Sequence, residues 1–196
     1  TNAGIYDATM ENDLQTVGDA KISTAVVKYG SGSMYFDGSG DVLNVQAPAV
    51  QTGNLGSGNF TVEGWVYPIA LGSSNCFVGS YTSLSTGHWI WYSGSGTTLS
   101  LYGSGTPTLS MTLTLNTWQH IAWVKNNGTS TFYLNGVSVA SASDTNTYSG
   151  ANFLTVGAYN GTTGSWNGYM DDVRITKGVA RYTGTFTPPQ VALPRQ

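Results

Sequence analysis

The sequence predicts an all-β protein, built as a two-sheet antiparallel β-sandwich. Short segments rich in β-branched and aromatic residues recur along its 196 residues, and turns rich in Gly, Ser and Asn separate them. Glycine provides 26 residues and charged residues only 9% of the chain, so turns are frequent and the polar surface is largely uncharged. Aromatic residues at 12% and apolar residues at 40% supply enough core for a folded domain.

The middle of the chain, residues 117–136, gives the clearest strand pattern. Residues 117–125 carry large side chains on both alternation faces, which is typical of a central strand covered on both sides. Asn126-Asn127-Gly128 and then Asn135-Gly136 supply the left-handed backbone that tight hairpin turns require. We therefore expect a three-stranded meander that ends with a strand over 137–140.

Further strands are predicted on both sides of this meander. In chain order they cover residues 21–28, 33–36, 42–46, 59–67, 76–80, 89–93, 98–102, 108–114, 153–159 and 166–176. Residues 1–19 are irregular, with a weak helical turn over 10–17, and a second helical turn is predicted at 178–182. We expect one domain over 1–187 and a linker-like tail over 188–196, and both ends look cut from a longer polypeptide.

Composition excludes several partner classes. The net charge is −3, and seven Lys and Arg residues spread along the chain cannot form a stripe that follows phosphates, so nucleic-acid binding is not expected. No apolar run approaches the roughly 20 residues of a membrane helix, so membrane insertion is not expected. Cys76 is the single cysteine, which rules out an intrachain disulfide.

Five short motifs, in a fixed order, carry a resemblance to a known family. They are GSMYFDG at 32–38, FTVEGWV at 60–66, WQHIA at 118–122, FYLNG at 132–136 and GYMDDVRI at 168–175. Together they resemble the laminin-G-like, concanavalin-A-like jelly roll of lectins and glucanases, over roughly residues 20–187. The ending KGVARY with FTPP resembles modules of phage tail and marine microbial surface proteins.

Catalysis is not predicted. A glycosidase needs two carboxylates that flank the scissile bond, and the chain has only two glutamates, Glu11 and Glu63, without an acidic cluster around Glu63. Glu63 and His120 lie on strands that can be neighbours, and a buried Glu–His hydrogen bond is favoured over a catalytic pair. Cys76 is interpreted as a small buried residue rather than a nucleophile.

Calcium is the ion that the resemblance implies. In related jelly rolls a structural calcium takes an Asp from the last strand, here Asp171, and oxygens near the N-terminus, here Asp7 with the Asp37-Gly38 turn. The alternative is that Asp171 and its neighbour Asp172 pair with Arg174 or cap the amides of loops.

Aromatic residues suggest a carbohydrate site, because sugars present apolar C–H faces to rings. Trp89 and Trp91 share one strand face, while His88, Ile90 and Tyr92 share the other. One set should lie in the core and the other on an exposed sheet face, with Tyr81 and Tyr102 on neighbouring strands; the alternative is that both sets are core. The loop 159–167 is a second candidate, although it also suits a plain hairpin. The predicted ligand-binding residues are Trp89, Trp91, Tyr102, Tyr159, Asn160 and Trp166.

The resulting hypothesis is a non-catalytic module that binds carbohydrate or a surface polymer, or mediates adhesion. It would belong to a larger extracellular, cell-surface or virion protein and contact the other domains of that chain. The alternative is a structural or decoration domain of a virion or cell-surface fibre without a small ligand. A glycoside hydrolase is the third and weakest hypothesis, since fold alone does not fix function.

Overall fold

The computed structural model describes residues 4–10, 12–46, 53–80, 89–149, 154–159 and 162–194. Within these residues it contains fourteen strands and no helix, so none is long and apolar enough to cross a membrane. The strands are β1 (Asp13–Val17), β2 (Lys21–Ser23), β3 (Ser33–Asp37), β4 (Val42–Gln46), β5 (Phe60–Pro68), β6 (Cys76–Ser80), β7 (Trp89–Ser95), β8 (Thr98–Tyr102), β9 (Ser110–Thr112), β10 (Gln119–Asn126), β11 (Thr129–Leu134), β12 (Val137–Ser143), β13 (Leu154–Val156) and β14 (Asn167–Lys177).

Two antiparallel sheets of seven strands each confirm the predicted all-β sandwich. The first sheet has the order β1-β4-β13-β6-β7-β8-β9, and the second has the order β12-β11-β10-β5-β14-β3-β2. Half of the neighbouring strand pairs are not consecutive in sequence, as in β4–β13 and β5–β14. The sandwich is therefore closed by long-range pairing rather than by local hairpins alone.

The meander around β10 has the predicted hairpins. Asn127 and Gly128 both have positive φ values, of 47° and 79°, and Asn135 and Gly136 have values of 50° and 81°. Positive φ at both central residues is the backbone of the turn type that suits twisted strands. β10 pairs with β11 on one side and with β5 on the other, so it is a central strand as expected.

Some predicted elements differ from the structure. Residues 13–17 form strand β1 and not part of a helical turn, because they pair with β4 and Leu14 packs against the core. No helix forms at 178–182 either. The Thr61 hydroxyl donates a hydrogen bond to Val179 O and accepts one from Arg181 N, and these bonds hold this backbone against β5. Residue 153, predicted to begin a strand, lies outside the described residues.

The core between the sheets is built from large aromatic side chains. Trp123 of the second sheet has its ring centroid 5.4 Å from that of Trp89 in the first sheet and 4.6 Å from that of Phe60. Edge-to-face pairs of this kind add about 0.5–1.5 kcal/mol beyond the burial of area. The indole N–H groups of Trp123 and Trp89 donate to Ser130 Oγ and to Gly53 O, so burial does not cost these polar atoms a hydrogen bond.

Residues 178–194, named here the C-terminal strap, lie across the outer face of the second sheet. Phe186 N donates to Gly136 O at 3.0 Å, and Leu193 N donates to Asp172 Oδ2 at 2.9 Å. Pro189 O accepts a hydrogen bond from the Tyr29 hydroxyl. Within the described part of the predicted linker-like tail over 188–196, Pro189 and Leu193 make these two contacts with the sandwich.

We expect Gly136→Ala to loosen the strap. A methyl group at Gly136 would overlap the carbonyl oxygen of Phe186, whereas a methyl group at Gly30 would meet no atom within 4 Å. Both glycines have positive φ, so Gly30→Ala isolates the conformational cost of about 1–2 kcal/mol. Gly136→Ala should cost about 2 kcal/mol more in urea unfolding. Equal losses of unfolding free energy in the two variants would contradict the close contact between the Gly136 turn and the strap.

Candidate functional site

The carboxylate of Glu63 lies on the outer face of the second sheet and has several charged and polar partners. Its residue is 1% exposed. Oε1 accepts from Arg174 Nη2 at 2.7 Å, and Oε2 lies 3.2 Å from His120 Nε2. The Tyr182 hydroxyl of the strap donates to Oε2 at 2.7 Å. The predicted buried Glu–His contact is therefore confirmed, and it forms part of a larger cluster.

The electrostatics of this cluster indicate a structural role. Burial alone would raise the pKa of Glu63, but the hydrogen bonds from His120 and Tyr182 and the charge of Arg174 outweigh it and lower the pKa. Burial, together with the adjacent Glu63, raises the pKa of Tyr182, which remains a hydrogen-bond donor. Protein groups occupy both carboxylate oxygens and the strap covers them, so Glu63 offers no position for a substrate.

We expect Glu63→Gln to destabilise the fold by about 3 kcal/mol at pH 7, because it leaves Arg174 without its buried counter-charge. The folded-state pKa of Glu63 lies below its unfolded value of about 4.3. Its contribution is therefore complete above that pH and is lost as the pH falls through the folded-state pKa. Urea unfolding of wild type and variant across this range measures the difference.

The difference in the free energy of unfolding between wild type and Glu63→Gln should become smaller as the pH falls. Asp13→Asn, a change at an exposed carboxylate, is the matched control and should stay within about 0.5 kcal/mol of wild type. A gap that is independent of pH would show that the charge of Glu63 does not stabilise the fold.

Three of the predicted sugar-binding aromatics lie in the core. Trp89, Trp91 and Trp166 are each 0% exposed, so their rings have no surface on which a ligand could stack. The alternation of β7 was predicted correctly, but the tryptophan set faces inward, where these larger apolar rings fill the space between the sheets. Asn160, and also Tyr81 and His88, lie outside the described residues.

The opposite alternation set brings other tyrosines to the outer face of the first sheet. Tyr92 of β7 has its ring centroid 5.5 Å from that of Tyr102 in β8 and 6.4 Å from that of Tyr159 in the loop after β13. Tyr102 is 40% exposed, and the other two are partly exposed. We name these three residues the tyrosine cluster. It contains the predicted Tyr102 and Tyr159, joined by Tyr92, which the sequence analysis had not assigned to the site.

Small uncharged side chains extend this face beyond the tyrosines. Tyr92 is in register with Ser100 of β8, which is in turn in register with Ser110 of β9. Directly opposed residues of a sheet share a face, so these hydroxyl groups lie in line with Tyr92. Tyr159 and Thr163 form an antiparallel bridge, and residues 160 and 161 between them lie outside the described residues.

The predicted calcium ligands are not brought together as one set. Asp171 accepts hydrogen bonds from Tyr29 N, Ser33 Oγ and Asp172 N, and Asp7 accepts from Thr9 and Asn12. Each of these two carboxylates therefore already has hydrogen-bond donors of the protein as partners. The alternative is confirmed for both Asp171 and Asp172, which cap backbone amides.

A different acidic group forms where Asp37-Gly38 turns into β4. Among the described residues, Asp19, Asp37 and Asp41 are the one set of three metal-ligating side chains whose oxygens lie within 4.8 Å of one another. Asp41 is buried and accepts from the backbone N–H groups of Asp19 and Asp37. Burial raises the pKa of Asp41 in spite of these hydrogen bonds, and the two neighbouring carboxylates add to the rise. Of the predicted set, Asp37 and its neighbour Gly38 belong to this turn.

Calcium binding stays a prediction, and thermal unfolding in EDTA and in millimolar calcium tests it. A site at the acidic group should give a rise in Tm with calcium, because binding to the folded state alone adds stability above Kd. Asp37→Asn should abolish the rise, whereas Asp171→Asn should keep it. No rise, together with no metal by elemental analysis, would contradict the prediction. Loss of the rise in Asp171→Asn alone would restore the ligand set expected from the sequence.

Comparisons with known proteins agree with this architecture. A model of the Laminin_G_3 family, described as the concanavalin A-like lectin/glucanases superfamily, matches residues 37–183. A search of curated proteins gives no match.

Among solved structures, domain 4 of AbnA, a GH43 extracellular arabinanase from Geobacillus stearothermophilus in complex with arabinotriose, is similar with a TM-score of 0.63. Its identity is 17%, over 91% of this chain and 85% of that chain. The receptor-binding domain of botulinum neurotoxin type G has a TM-score of 0.61 and 14% identity, over 84% of this chain and 42% of that chain.

The binding domain of botulinum neurotoxin DC in complex with SialylT has a TM-score of 0.62 and 12% identity, over 84% of this chain and 43% of that chain. This chain therefore spans less than half the length of the neurotoxin domains that it resembles. At these identities the likeness shows a shared fold.

Proposed function

This chain belongs to the Laminin_G_3 family of the concanavalin A-like lectin/glucanases superfamily, and from that premise we propose that it is a non-catalytic carbohydrate-binding module of a larger, extracellular protein. The observation that carries the proposal is the tyrosine cluster on the outer face of the first sheet. Adhesion to a glycan or a surface polymer would be the consequence of such binding.

The chemistry of the cluster suits a sugar. A ring that is partly exposed and fixed by its neighbours can stack on the C–H face of a pyranose or furanose without losing much side-chain freedom, and Tyr102 has this arrangement. The hydroxyl groups of Ser100 and Ser110 extend the same face and can exchange hydrogen bonds with sugar hydroxyls. Few, well-placed polar groups beside aromatic surface are typical of ligand sites.

The similar solved structures support a binding role. The arabinanase domain is in complex with arabinotriose and the neurotoxin DC domain is in complex with SialylT, while cell entry of botulinum neurotoxin type C depends on interaction with two ganglioside molecules. Most of these neighbours are described as binding or receptor-binding domains, and the arabinanase domain is one part of an enzyme. The burial of Glu63 under the strap also supports a non-catalytic role.

We expect Tyr102→Ala to weaken binding to a glycan found on an array by about tenfold, because it removes an exposed stacking ring. Tyr102→Phe keeps the ring and should bind within about threefold of wild type. Isothermal titration calorimetry measures both variants. A glycan that binds wild type and Tyr102→Ala equally would exclude the tyrosine cluster as its site. Absence of binding to every glycan on the array would favour the structural-domain alternative.

A further inference from the structure

We propose that the chain has a second carbohydrate site, specific for neutral oligosaccharides, in a groove on the outer face of the second sheet. The groove has a volume of about 380 Å³ and lies between the β10–β11 hairpin and the C-terminal strap. A volume of this size falls at the lower end of the usual range for small-ligand sites. Its lining residues are Val124, Asn126, Asn127, Thr129, Thr131, Tyr133, Tyr182 and Thr183.

Every side chain that lines the groove is uncharged at neutral pH. Two tyrosines provide aromatic surface, Val124 provides an apolar patch, and amides and hydroxyls provide the rest. An anionic ligand such as a phosphate or a sialylated glycan would find no counter-charge among these residues, and an apolar peptide would bury their polar groups without partners. A polyhydroxylated neutral ligand with an apolar C–H face matches both kinds of surface.

The groove presents the hydroxyl group of Tyr133. The Tyr133 residue is 4% exposed, and in the part of the chain that the structure describes its hydroxyl makes no hydrogen bond to the protein. Its ring is fixed by Phe186, with 5.4 Å between the ring centroids. A sugar hydroxyl in the groove can exchange a hydrogen bond with this phenolic hydroxyl.

Further hydrogen-bonding groups at the mouth of the groove are also available. Within the described residues, the side chains of Asn127, Thr129 and Thr183 make no hydrogen bond. Asn59 Oδ1 accepts from Asn127 N at 2.8 Å and so holds the hairpin turn in place. These donors and acceptors are therefore presented by a fixed turn.

The opposite wall of the groove is equally fixed. Tyr182 stacks on Phe186 with ring centroids 3.5 Å apart and planes at 3°, and its hydroxyl donates to Glu63. Both walls are thus ordered before a ligand arrives, which lowers the entropic cost of binding. The groove and the tyrosine cluster lie on different sheets and share no residue, so each site can be tested without the other.

The test is titration of the ¹⁵N-labelled chain with arabinotriose, cellotetraose and 3′-sialyllactose, followed by the backbone amide signals. We expect at least one of the two neutral oligosaccharides to shift the amides of residues 126–131 and 183 in a saturable way, and 3′-sialyllactose to leave them unchanged. Tyr133→Phe and Thr129→Val should each weaken this binding roughly threefold to tenfold. Thr112→Val, a matched change at an exposed threonine of β9, should have no effect.

Several results would overturn the second site. They are the absence of groove shifts with both neutral oligosaccharides, shifts of the same size with 3′-sialyllactose, or unchanged affinity in Tyr133→Phe and Thr129→Val. Tyr102→Ala should leave groove binding intact. Shifts confined to the amides around Tyr92, Tyr102 and Tyr159 would refute the groove site and support the tyrosine cluster. Shifts confined to the amides of the groove would support the groove site and count against the tyrosine cluster.

Discussion

The outer face of the second sheet depends on one buried carboxylate. Glu63 lies at the centre of β5, and its partners come from β10, from β14 and from the C-terminal strap. An ionised group at 1% exposure is tolerated only while its partners stay in place. Replacing the whole cluster by apolar residues could leave stability unchanged, but removal of any one partner would not. The cluster therefore specifies how these segments are arranged.

The two sheets consequently differ in what they present to solvent. The second sheet has the strap over it, and Tyr182 and Phe186 pack there on His120 and Tyr133. The outer face of the first sheet presents the tyrosine cluster, in which Tyr102 is 40% exposed. The strap thus does two things for one sheet: it covers the charge cluster, and it forms one wall of the groove beside the β10–β11 hairpin.

Local signals explain what could be predicted from the sequence. The Asn-Gly turns at 128 and 136 require positive φ, which only a few residue types adopt readily, so the meander was evident. Alternation along β7 separated the tryptophans from Tyr92, but alternation does not say which face of a strand is inside. That choice is made by the volume between the two sheets, to which four tryptophans at 0% exposure contribute.

Contacts between distant segments explain what could not be predicted. Asp19, Asp37 and Asp41 converge because β1 pairs with β4, and residues 13–17 have little strand signal of their own. Asp171 matched a family position for a metal ligand, yet its oxygens accept from Tyr29 and Ser33. The groove needs the strap to lie beside the β10–β11 hairpin. The hydrogen bond between Glu63 and Tyr182 holds the strap there. These two residues are 119 positions apart, and no local sequence pattern predicts a contact over that separation.

That separation also governs how the protein is made. On the ribosome, β5 emerges long before its partners Arg174 and Tyr182, which follow Glu63 by 111 and 119 residues. Until they arrive, closing the sheet over Glu63 would bury a charge without its counter-charge. The cluster around Glu63 can therefore form completely only after Arg174 and Tyr182 have left the exit tunnel. Topologies with many long-range strand pairings of this kind fold in roughly milliseconds to seconds.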